Sequence, residues 1–446
     1  MLGVAVLGAA VALLLYQTGP AVALALLAAA AVTAAAVWRP LYGVYAAILA
    51  IPLEILDLRF GGEAGLSPAE GLLLLTAAAA VPRLLQGDSR SPAAPHLWLG
   101  GFLAVASLGI FFAEDSFTVG KIVVIWSAFL VVSMLVASRS REELEQVLGC
   151  IALAGGVLGL VAILGTGEQE LQSGGTVASN RAEGTFTHPN VLAFNLLLAI
   201  PLALVLALEA RRPPIRMVSL VSAGLAITGL MLTLSRGALV GGAVSLLVLL
   251  AWPRFRRYAF ALLTVLALFA LVNFNSLQAT STVSLVGQRI ATLTTSEGQR
   301  GGRRIDIWSD TPGIVIDHPF LGVGEGNYPN TSPDYGIRDI GGLPFDHAHN
   351  LALTIAAETG LIGLILFAGF AVSVGRVGTE ALRGRSPGIY PPALAVIAAL
   401  TGLLVTSLGE YPPRTNVVMA LILIEVGALV GYNRLHREQV GGGHVL

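Results

Sequence analysis

Residues 189–208 read PNVLAFNLLLAIPLALVLAL, a run without a single charged side chain. A helix needs roughly 20 apolar residues to cross the hydrocarbon core of a bilayer, so this run predicts a membrane-spanning helix. Similar Leu- and Ala-rich runs recur along the 446 residues, which are 55% hydrophobic and 12% charged, with a mean hydropathy of +0.78. They lack the two-residue alternation of a membrane barrel. The sequence therefore predicts an all-α polytopic membrane protein.

The apolar runs predict about 12 to 14 transmembrane helices, because the first and third runs are short enough to be half-helices. They leave no room for a separate soluble domain. We expect one integral membrane domain over residues 1–446, with one large loop at 275–347. A single cysteine, Cys150, excludes an intramolecular disulfide framework. The predicted spans are 2–16, 20–37, 41–56, 68–85, 97–113, 119–137, 148–165, 189–208, 215–234, 237–252, 257–274, 348–375, 388–408 and 413–432.

The 26 basic residues divide the connections between these spans into two sets. Loops rich in Lys and Arg face the cytoplasm, so we expect the larger set and both termini there, and the loop 275–347 on the outer side. The larger set is Arg39, Arg83, Arg90, Arg139, Arg141, Arg211, Arg212, Arg216, Arg254, Arg256, Arg257, Arg376, Arg383, Arg385, Arg434 and Arg437. The smaller set is Arg59, Lys121, Arg181, Arg236, Arg289, Arg300, Arg303, Arg304, Arg338 and Arg414.

The most polar part of the chain, residues 303–363, reads RRIDIWSDTPGIVIDHPFLGVGEGNYPNTSPDYGIRDIGGLPFDHAHNLALTIAAETGLIG. It holds three of the seven histidines and lies between long apolar runs. Polar and ionisable groups next to membrane spans mark functional sites, so we expect chemistry or binding here. The alternative is a folded cap that only covers the helix ends.

The arginines of the outer set are not explained by topology. Arg236 lies in TLSRGALVGG between two apolar runs, Arg181 lies just before a span, and Arg303 and Arg304 precede IDIW. The planar guanidinium keeps its charge and offers paired donors to phosphate oxygens, so these residues predict an anion site. The alternative is a compositional preference for Arg over Lys.

The HAHN segment opens an apolar helix at the edge of the loop. His349 is a candidate proton acceptor or hydrogen-bond partner for a substrate hydroxyl, because the imidazole pKa lies near neutrality; a capping role is the alternative. If the helix has already begun here, we expect His347 to point elsewhere, since residues two apart on a helix do not share a face. Asp346, His347 and His349 are a weaker metal pattern, because no third ligand cluster stands nearby; no metal is predicted.

Other polar positions in this region have structural interpretations. GVGEGN at 322–327 predicts a tight turn whose amides face either a polar ligand or a neighbouring helix. We expect Glu358 to be buried or at a helix contact. Glu410 and Arg414 flank YPP in a short turn and are expected to pair with each other.

Four segments together resemble the O-antigen ligase/polymerase superfamily. They are GTFTHPNVLA at 184–193, TLSRGALVGG at 233–242, RIDIWSDTPGIVIDHPFLGVGEGNY at 304–328, and HN at 349–350 followed by GLIG at 360–363. The resemblance covers roughly residues 180–375, in this order. His188 departs from the small polar residue that the family pattern places before Pro-Asn.

The resemblance implies a glycosyltransferase with a GT-C-like fold. Such an enzyme takes a glycan from undecaprenyl diphosphate, at the outer face of the bacterial cytoplasmic membrane, to a sugar hydroxyl of a glycan or lipid A–core acceptor. It implies inversion at the anomeric carbon and no cofactor. Arg236 and His349 would be catalytic; the substrate-binding candidates are Arg181, Asn190, Arg303, Arg304, Tyr328, His347 and Asn350.

Two choices stay open at this point. Ligase and repeat-unit polymerase share the superfamily. A transporter or flippase of lipid-linked sugar is a different class, but transporters place polar residues within spans and often have pseudo-symmetric halves, whereas here the polar residues concentrate in one loop. The expected partners are the lipid-linked donor, the acceptor and the bilayer; no nucleic-acid partner is expected.

Overall fold

The structure, a computed structural model, describes residues 30–54, 58–59, 65–88, 93–165, 181–186, 188–261, 299–338 and 342–441. Its helices are α1 (Pro40–Ala50), α2 (Pro68–Arg83), α3 (Ala94–Ser107), α4 (Ser116–Ala137), α5 (Arg141–Gly165), α6 (Pro189–Glu209), α7 (Pro213–Leu232), α8 (Arg236–Leu249), α9 (Gln299–Asp317), α10 (Tyr328–Thr331), α11 (Leu351–Ala381), α12 (Tyr390–Thr406) and α13 (Asn416–Gly441). Two short strands, β1 (Leu58–Arg59) and β2 (Gly65–Leu66), pair antiparallel.

Among the described residues, eight helices are long and apolar enough to cross a membrane. Three shorter apolar helices accompany them, at Pro40–Leu53, Arg236–Leu249 and Tyr390–Thr406. The prediction of an all-α polytopic membrane protein is therefore confirmed. The predicted span 2–16, most of the spans 20–37 and 257–274, and positions 275–298 of the large loop lie outside the described residues.

Helices α6 and α13 form the centre of the bundle. The membrane windows of these two helices are 72% and 83% buried inside the protein, against 33% for α7. Close helix contacts depend on small residues, which let backbones approach one another. A Cβ at Gly159 of α5 would meet the Leu225 carbonyl of α7 at 2.3 Å, and one at Gly241 of α8 would meet the Gly402 carbonyl of α12 at 2.4 Å.

Contacts between basic residues and neighbouring helix ends define one end of the bundle. Arg39 pairs with Glu143 at 2.6 Å, and Arg434 donates to the Arg139 carbonyl at 2.6 Å. Arg254 pairs at 2.7 Å with Glu209, the last residue of α6. The residues that begin α6 lie at its opposite end, next to Arg181 and Glu410. The structure thus separates these members of the larger basic set from Arg181.

The Gly-rich segment after α9 packs against α11. The amides of Val323 and Gly324 donate to the carbonyls of Ala357 and Glu358, at 3.0 and 2.8 Å. Gly360 interrupts α11 with a φ of +69°, and a Cβ there would meet the Phe320 backbone at 2.3 Å. The amides of GVGEGN therefore face a neighbouring helix, which decides between the two interpretations of this turn.

Candidate functional site

Glu410 lies at the centre of a polar cluster at the end of the bundle. It belongs to the turn between α12 and α13, and its side chain is 7% exposed. Oε1 accepts a hydrogen bond from Nδ2 of Asn190 at 2.8 Å and pairs with Nη2 of Arg304. Oε2 lies 3.1 Å from Nδ1 of His349. One carboxylate thus joins residues from the start of α6, from α9 and from the turn before α11.

The cluster stabilises the ionised form of this carboxylate. Burial alone would raise the pKa of Glu410, but the hydrogen bond with His349 and the charge of Arg304 outweigh it. The pKa is lowered to about 2. Glu410 is therefore a permanent anion at neutral pH, held among cationic and hydrogen-bonding groups.

Asn190 connects Arg181 to Glu410. Nη2 of Arg181 donates to Oδ1 of Asn190 at 2.9 Å, while Nε donates to the Thr233 carbonyl at 2.8 Å. The Asn190 amide N–H donates to Nδ1 of His188 at 3.1 Å, which places His188 at the N-cap of α6. The His188 that departs from the family pattern thus begins the helix that carries Asn190.

His347 and His349 come together rather than diverging. Helix α11 begins only at Leu351, with Asn350 as its N-cap, so the two histidines precede the helix. His349 has a φ of +49°, its amide donates to Nδ1 of His347 at 3.0 Å, and the ring centroids are 4.4 Å apart. The condition for His347 to point elsewhere, a helix that has already begun at these residues, is therefore not met. Burial, with the neighbouring His349, lowers the pKa of His347 to about 3.

The donor types in this cluster invite a comparison with a metal site. The ligand atoms of His347, His349 and Glu410 lie within 4.8 Å of one another, whereas Asp346, the sequence candidate, is exposed. Zinc uses these donor types. However, Glu410 is already paired with the Arg304 guanidinium, and this positive charge opposes a second cation. The surroundings favour an anion over a metal ion.

The other candidate residues fall into two groups. Arg236 is the first residue of α8, half-buried and three positions after Thr233, whose carbonyl accepts from Arg181. Its backbone therefore lies at the same end of the bundle. Arg303 lies in α9 beside Arg304, but its side chain is outside the described residues.

Asn350 and Tyr328 have hydrogen bonds that shape the fold. Oδ1 of Asn350 caps the Leu353 amide at 3.0 Å, and its Nδ2 donates to the Leu408 carbonyl at 3.1 Å. Tyr328 is fully buried, with its hydroxyl 2.8 Å from that of Thr311. Asn350 thus orients the segment that carries His349, and Tyr328 belongs to the core of the polar segment.

Glu410 does not pair with Arg414, so that expectation is wrong. Arg414 instead acts electrostatically on a second buried group, the carboxyls of Glu325 and Glu358. Tyr411 donates to Oε1 of Glu325 at 3.0 Å. Burial and the neighbouring Glu358 raise the pKa of Glu325 well above its usual range. Glu358 is buried as expected. The acidic pair meets Tyr411, the residue that follows Glu410, through Glu325, and the sequence does not reveal the pair because its two members lie in different elements.

The fold and this cluster define a polytopic helical membrane protein with a charged site at one end of its bundle. Residues 221–368 match the family model described as O-antigen ligase. This match confirms the resemblance of the chain to the O-antigen ligase/polymerase superfamily. It includes Arg236, Arg304 and His349, whereas Arg181, Asn190 and Glu410 lie outside it.

No curated protein matches the chain. A solved structure described as "Structural coordination of polymerization and crosslinking by a peptidoglycan synthase complex" is similar, with a TM-score of 0.39 and 16% sequence identity, over 76% of this chain and 97% of that chain. A likeness at this level supports no conclusion about this chain.

Proposed function

We propose that this chain is a membrane glycosyltransferase of the O-antigen ligase type. It transfers a glycan from undecaprenyl diphosphate to a sugar hydroxyl of a glycan or lipid A–core acceptor, at the outer face of the cytoplasmic membrane. The observation that carries the proposal is the joined cluster of Arg181, Asn190, Glu410, Arg304 and His349 at one end of an apolar bundle.

The arginines are suited to the diphosphate. Arg181 and Arg304 lie on either side of Asn190 and Glu410, and the backbone of Arg236 is at the same end. Guanidinium groups bind phosphate oxygens in a bidentate fashion, and they stabilise the charge that builds on a departing diphosphate. We assign Arg181, Arg236 and Arg304 to the donor diphosphate, together with Arg303, which precedes Arg304 in the sequence.

His349 is suited to the acceptor. Its side chain is 25% exposed, and one ring nitrogen faces Glu410. The other nitrogen is the candidate acceptor of the hydroxyl proton. An acceptor attacking from the face opposite the diphosphate inverts the anomeric centre. The bond to diphosphate is already activated, so positioning and charge stabilisation suffice.

The bilayer is part of the proposal. The polyprenyl tail of the donor lies in the membrane and enters the site from the side. The apolar helices of the bundle place the protein in that same membrane. We place the cluster on the outer side, because most of the 26 basic residues belong to the other set of connections. The large loop 275–347 then faces the periplasm or the exterior.

The central test is transfer by purified protein supplied with lipid-linked donor and acceptor in the presence of EDTA. We expect His349→Ala to lose about 10²–10⁴-fold in rate, the contribution of a general base, while donor binding persists. His436→Gln, at the opposite end of the bundle beside Ser386, is the matched control. Full turnover by His349→Ala, or arrest by EDTA with rescue by a divalent ion, would refute this assignment.

Ligase and polymerase are separated by the glycan that accumulates in a deletion strain. Long chains on undecaprenyl diphosphate indicate a ligase, and single repeats indicate a polymerase. A transporter would instead leave the lipid-linked glycan on the inner side of the membrane. That outcome would replace the enzyme with the other class of protein.

A further inference from the structure

We propose that Glu410 is the residue that positions His349, holding the imidazole with Nδ1 protonated so that Nε2 is free to accept the acceptor's proton. The inference rests on the proposed function and adds to it a residue outside the part of the chain that matches O-antigen ligase. It is carried by the geometry around one carboxylate.

Glu410 contacts His349 directly. Oε2 of Glu410 lies 3.1 Å from Nδ1 of His349, within hydrogen-bonding range. An ionised carboxylate only accepts hydrogen bonds. The proton between the two atoms therefore belongs to Nδ1, and a neutral His349 has its unprotonated nitrogen at Nε2.

The Glu410 carboxylate is fixed through its other oxygen, Oε1. Oε1 of Glu410 accepts from Asn190 at 2.8 Å and pairs with Arg304, so Oε2 is left for the histidine. The carboxylate is buried, and its pKa of about 2 keeps it ionised. A fixed anion of this kind orients an imidazole and stabilises the imidazolium that forms during proton transfer, the logic of a histidine with an acidic partner.

The backbone of His349 is also held in place. Its φ of +49° lies in the left-handed region, which a non-glycine residue adopts only at a cost. Two hydrogen bonds hold the turn. The His349 amide donates to Nδ1 of His347 at 3.0 Å, and the Ala348 amide donates to Oγ1 of Thr354 at 3.2 Å. In this conformation Nδ1 of His349 lies 3.1 Å from Oε2 of Glu410.

The bonds balance without another reactant. The acceptor O–H bond breaks as its oxygen forms a bond to the anomeric carbon, and the proton passes to Nε2 of His349. The bond from the anomeric carbon to the diphosphate oxygen breaks, and its electron pair leaves with undecaprenyl diphosphate. Glu410 stays ionised throughout and faces the transient imidazolium. Its role is to position His349, and it touches neither substrate.

The kinetic test compares Glu410→Gln with Glu410→Asp and places Glu410→Gln also in a His349→Ala background. We expect Glu410→Gln to lower kcat by about 10²-fold or more, with a smaller change in the KM for acceptor, and Glu410→Asp to recover part of the loss. In the His349→Ala background the same change should cost little, because residues that act as a unit are not additive. An equal loss in both backgrounds would show that Glu410 acts through Arg304 or Asn190, and would overturn the inference.

Glu380→Gln is the control for loss of an ion pair. Glu380 pairs with Arg437 at the other end of the bundle, and a partly exposed pair of this kind contributes little. We expect transfer within about twofold of wild type.

A spectroscopic test is independent of transfer. Nitrogen NMR of protein labelled only in histidine reports which ring nitrogen carries the proton, and the signal missing from His349→Ala assigns the residue. We expect a protonated Nδ1 and a bare Nε2 at His349 in wild type, and loss of this preference in Glu410→Gln. A protonated Nε2 in wild type would sink the inference even if transfer is observed. Absence of transfer with the expected tautomer would count against the proposed function alone.

Discussion

His347 is a half-buried residue whose imidazole lies in a polar site. Its ring lies 4.4 Å from that of His349 and 5.9 Å from that of Tyr411, centroid to centroid. Burial lowers its pKa from 6.5 to about 3, so it is neutral in the folded protein. A neutral His347 adds no charge beside His349. The charged group in contact with the His349 ring is therefore the Glu410 carboxylate.

This burial makes the protein sensitive to acid. Between pH 6.5 and about 3, the unfolded chain binds a proton at His347 that the folded chain excludes, so the free energy of unfolding falls as the pH falls. We expect the melting temperature of the purified protein to fall as the pH is lowered below about 6.5. The fall should be smaller in His347→Gln. His318→Gln, in an exposed position, should behave like wild type. An unchanged pH dependence in His347→Gln would contradict the assignment.

Arg236 is tested by the most conservative substitution. Lysine keeps the charge but loses the planar fork, and a hydrogen bond to a charged group contributes roughly 1.5–3 kcal/mol. We therefore expect Arg236→Lys to reduce transfer about tenfold or more at equal membrane abundance. Arg254→Lys is the control, because Arg254 pairs with Glu209 at the opposite end of the bundle. Wild-type transfer by Arg236→Lys would remove it from the site.

At the scale of single residues, the sequence allows the cluster to be predicted only in part. Arg181, Arg304 and His349 can be recognised because a charge or an imidazole beside apolar runs is unusual. Glu410 cannot, because it is 61 positions from His349 and 106 from Arg304, and a carboxylate in a Pro-rich turn looks like surface. Only the packing of α12 and α13 against α6 and α11 reveals its contacts.

At the scale of elements, α11 and the Gly-rich segment form one backbone unit. The segment follows α9 and is bonded to the interrupted turn of α11 at Gly360, where the Leu361 amide donates to the Pro319 carbonyl at 2.8 Å. The first part of α11 is capped by Asn350 and begins two residues after His349. The kink thus sets how the polar segment approaches the site.

Gly360→Ala should disrupt this unit. A Cβ at position 360 would overlap the Phe320 backbone at 2.3 Å, and φ of +69° strains any other residue. We expect a large loss of folded, detergent-extractable protein. Gly375→Ala in the same helix meets nothing within 4 Å and should be neutral or stabilising, because alanine favours helix. Equal yields of the two variants in size-exclusion chromatography would argue against the close approach.

The helical spans of the described residues follow from apolar runs, because a backbone in lipid must satisfy its own hydrogen bonds. The precise ends are less predictable. Helices α8 and α12 are shorter than the spans predicted at 237–252 and 388–408. Helix α12 ends at Thr406, where a turn leads to Glu410 of the site. Helix α8 begins at Arg236, at the site, and is shortened at its other end, Leu249.

At the scale of the whole molecule, the two ends of the bundle differ in kind. One end has exposed and half-exposed arginines paired to helix ends, as at Arg39 and Arg254. The other end has the buried carboxylate of Glu410 with its cationic partners. This difference predicts the orientation in the membrane.

The orientation is tested by single cysteines placed in a Cys150→Ser background. Leu343 is 66% exposed and lies four residues before His347 in the sequence, and Gln86 is exposed after Arg83 at the other end. A membrane-impermeant thiol reagent added from outside should label Leu343→Cys in intact cells and label Gln86→Cys only after the membrane is opened. The reverse pattern would invert the orientation, and with it the proposed site on the outer face.

The pairing of Arg304 with Glu410 has a consequence for turnover. If the diphosphate binds Arg304, it must compete with a carboxylate that is already in place, so the protein holds its donor less tightly than its arginines alone would allow. On the proposed function, the same competition acts after the reaction, when the diphosphate carrier has to leave. A resident anion that takes back its guanidinium lowers the barrier to that departure. The ion pair between Arg304 and Glu410 then affects the rate of product release as well as the geometry of the site.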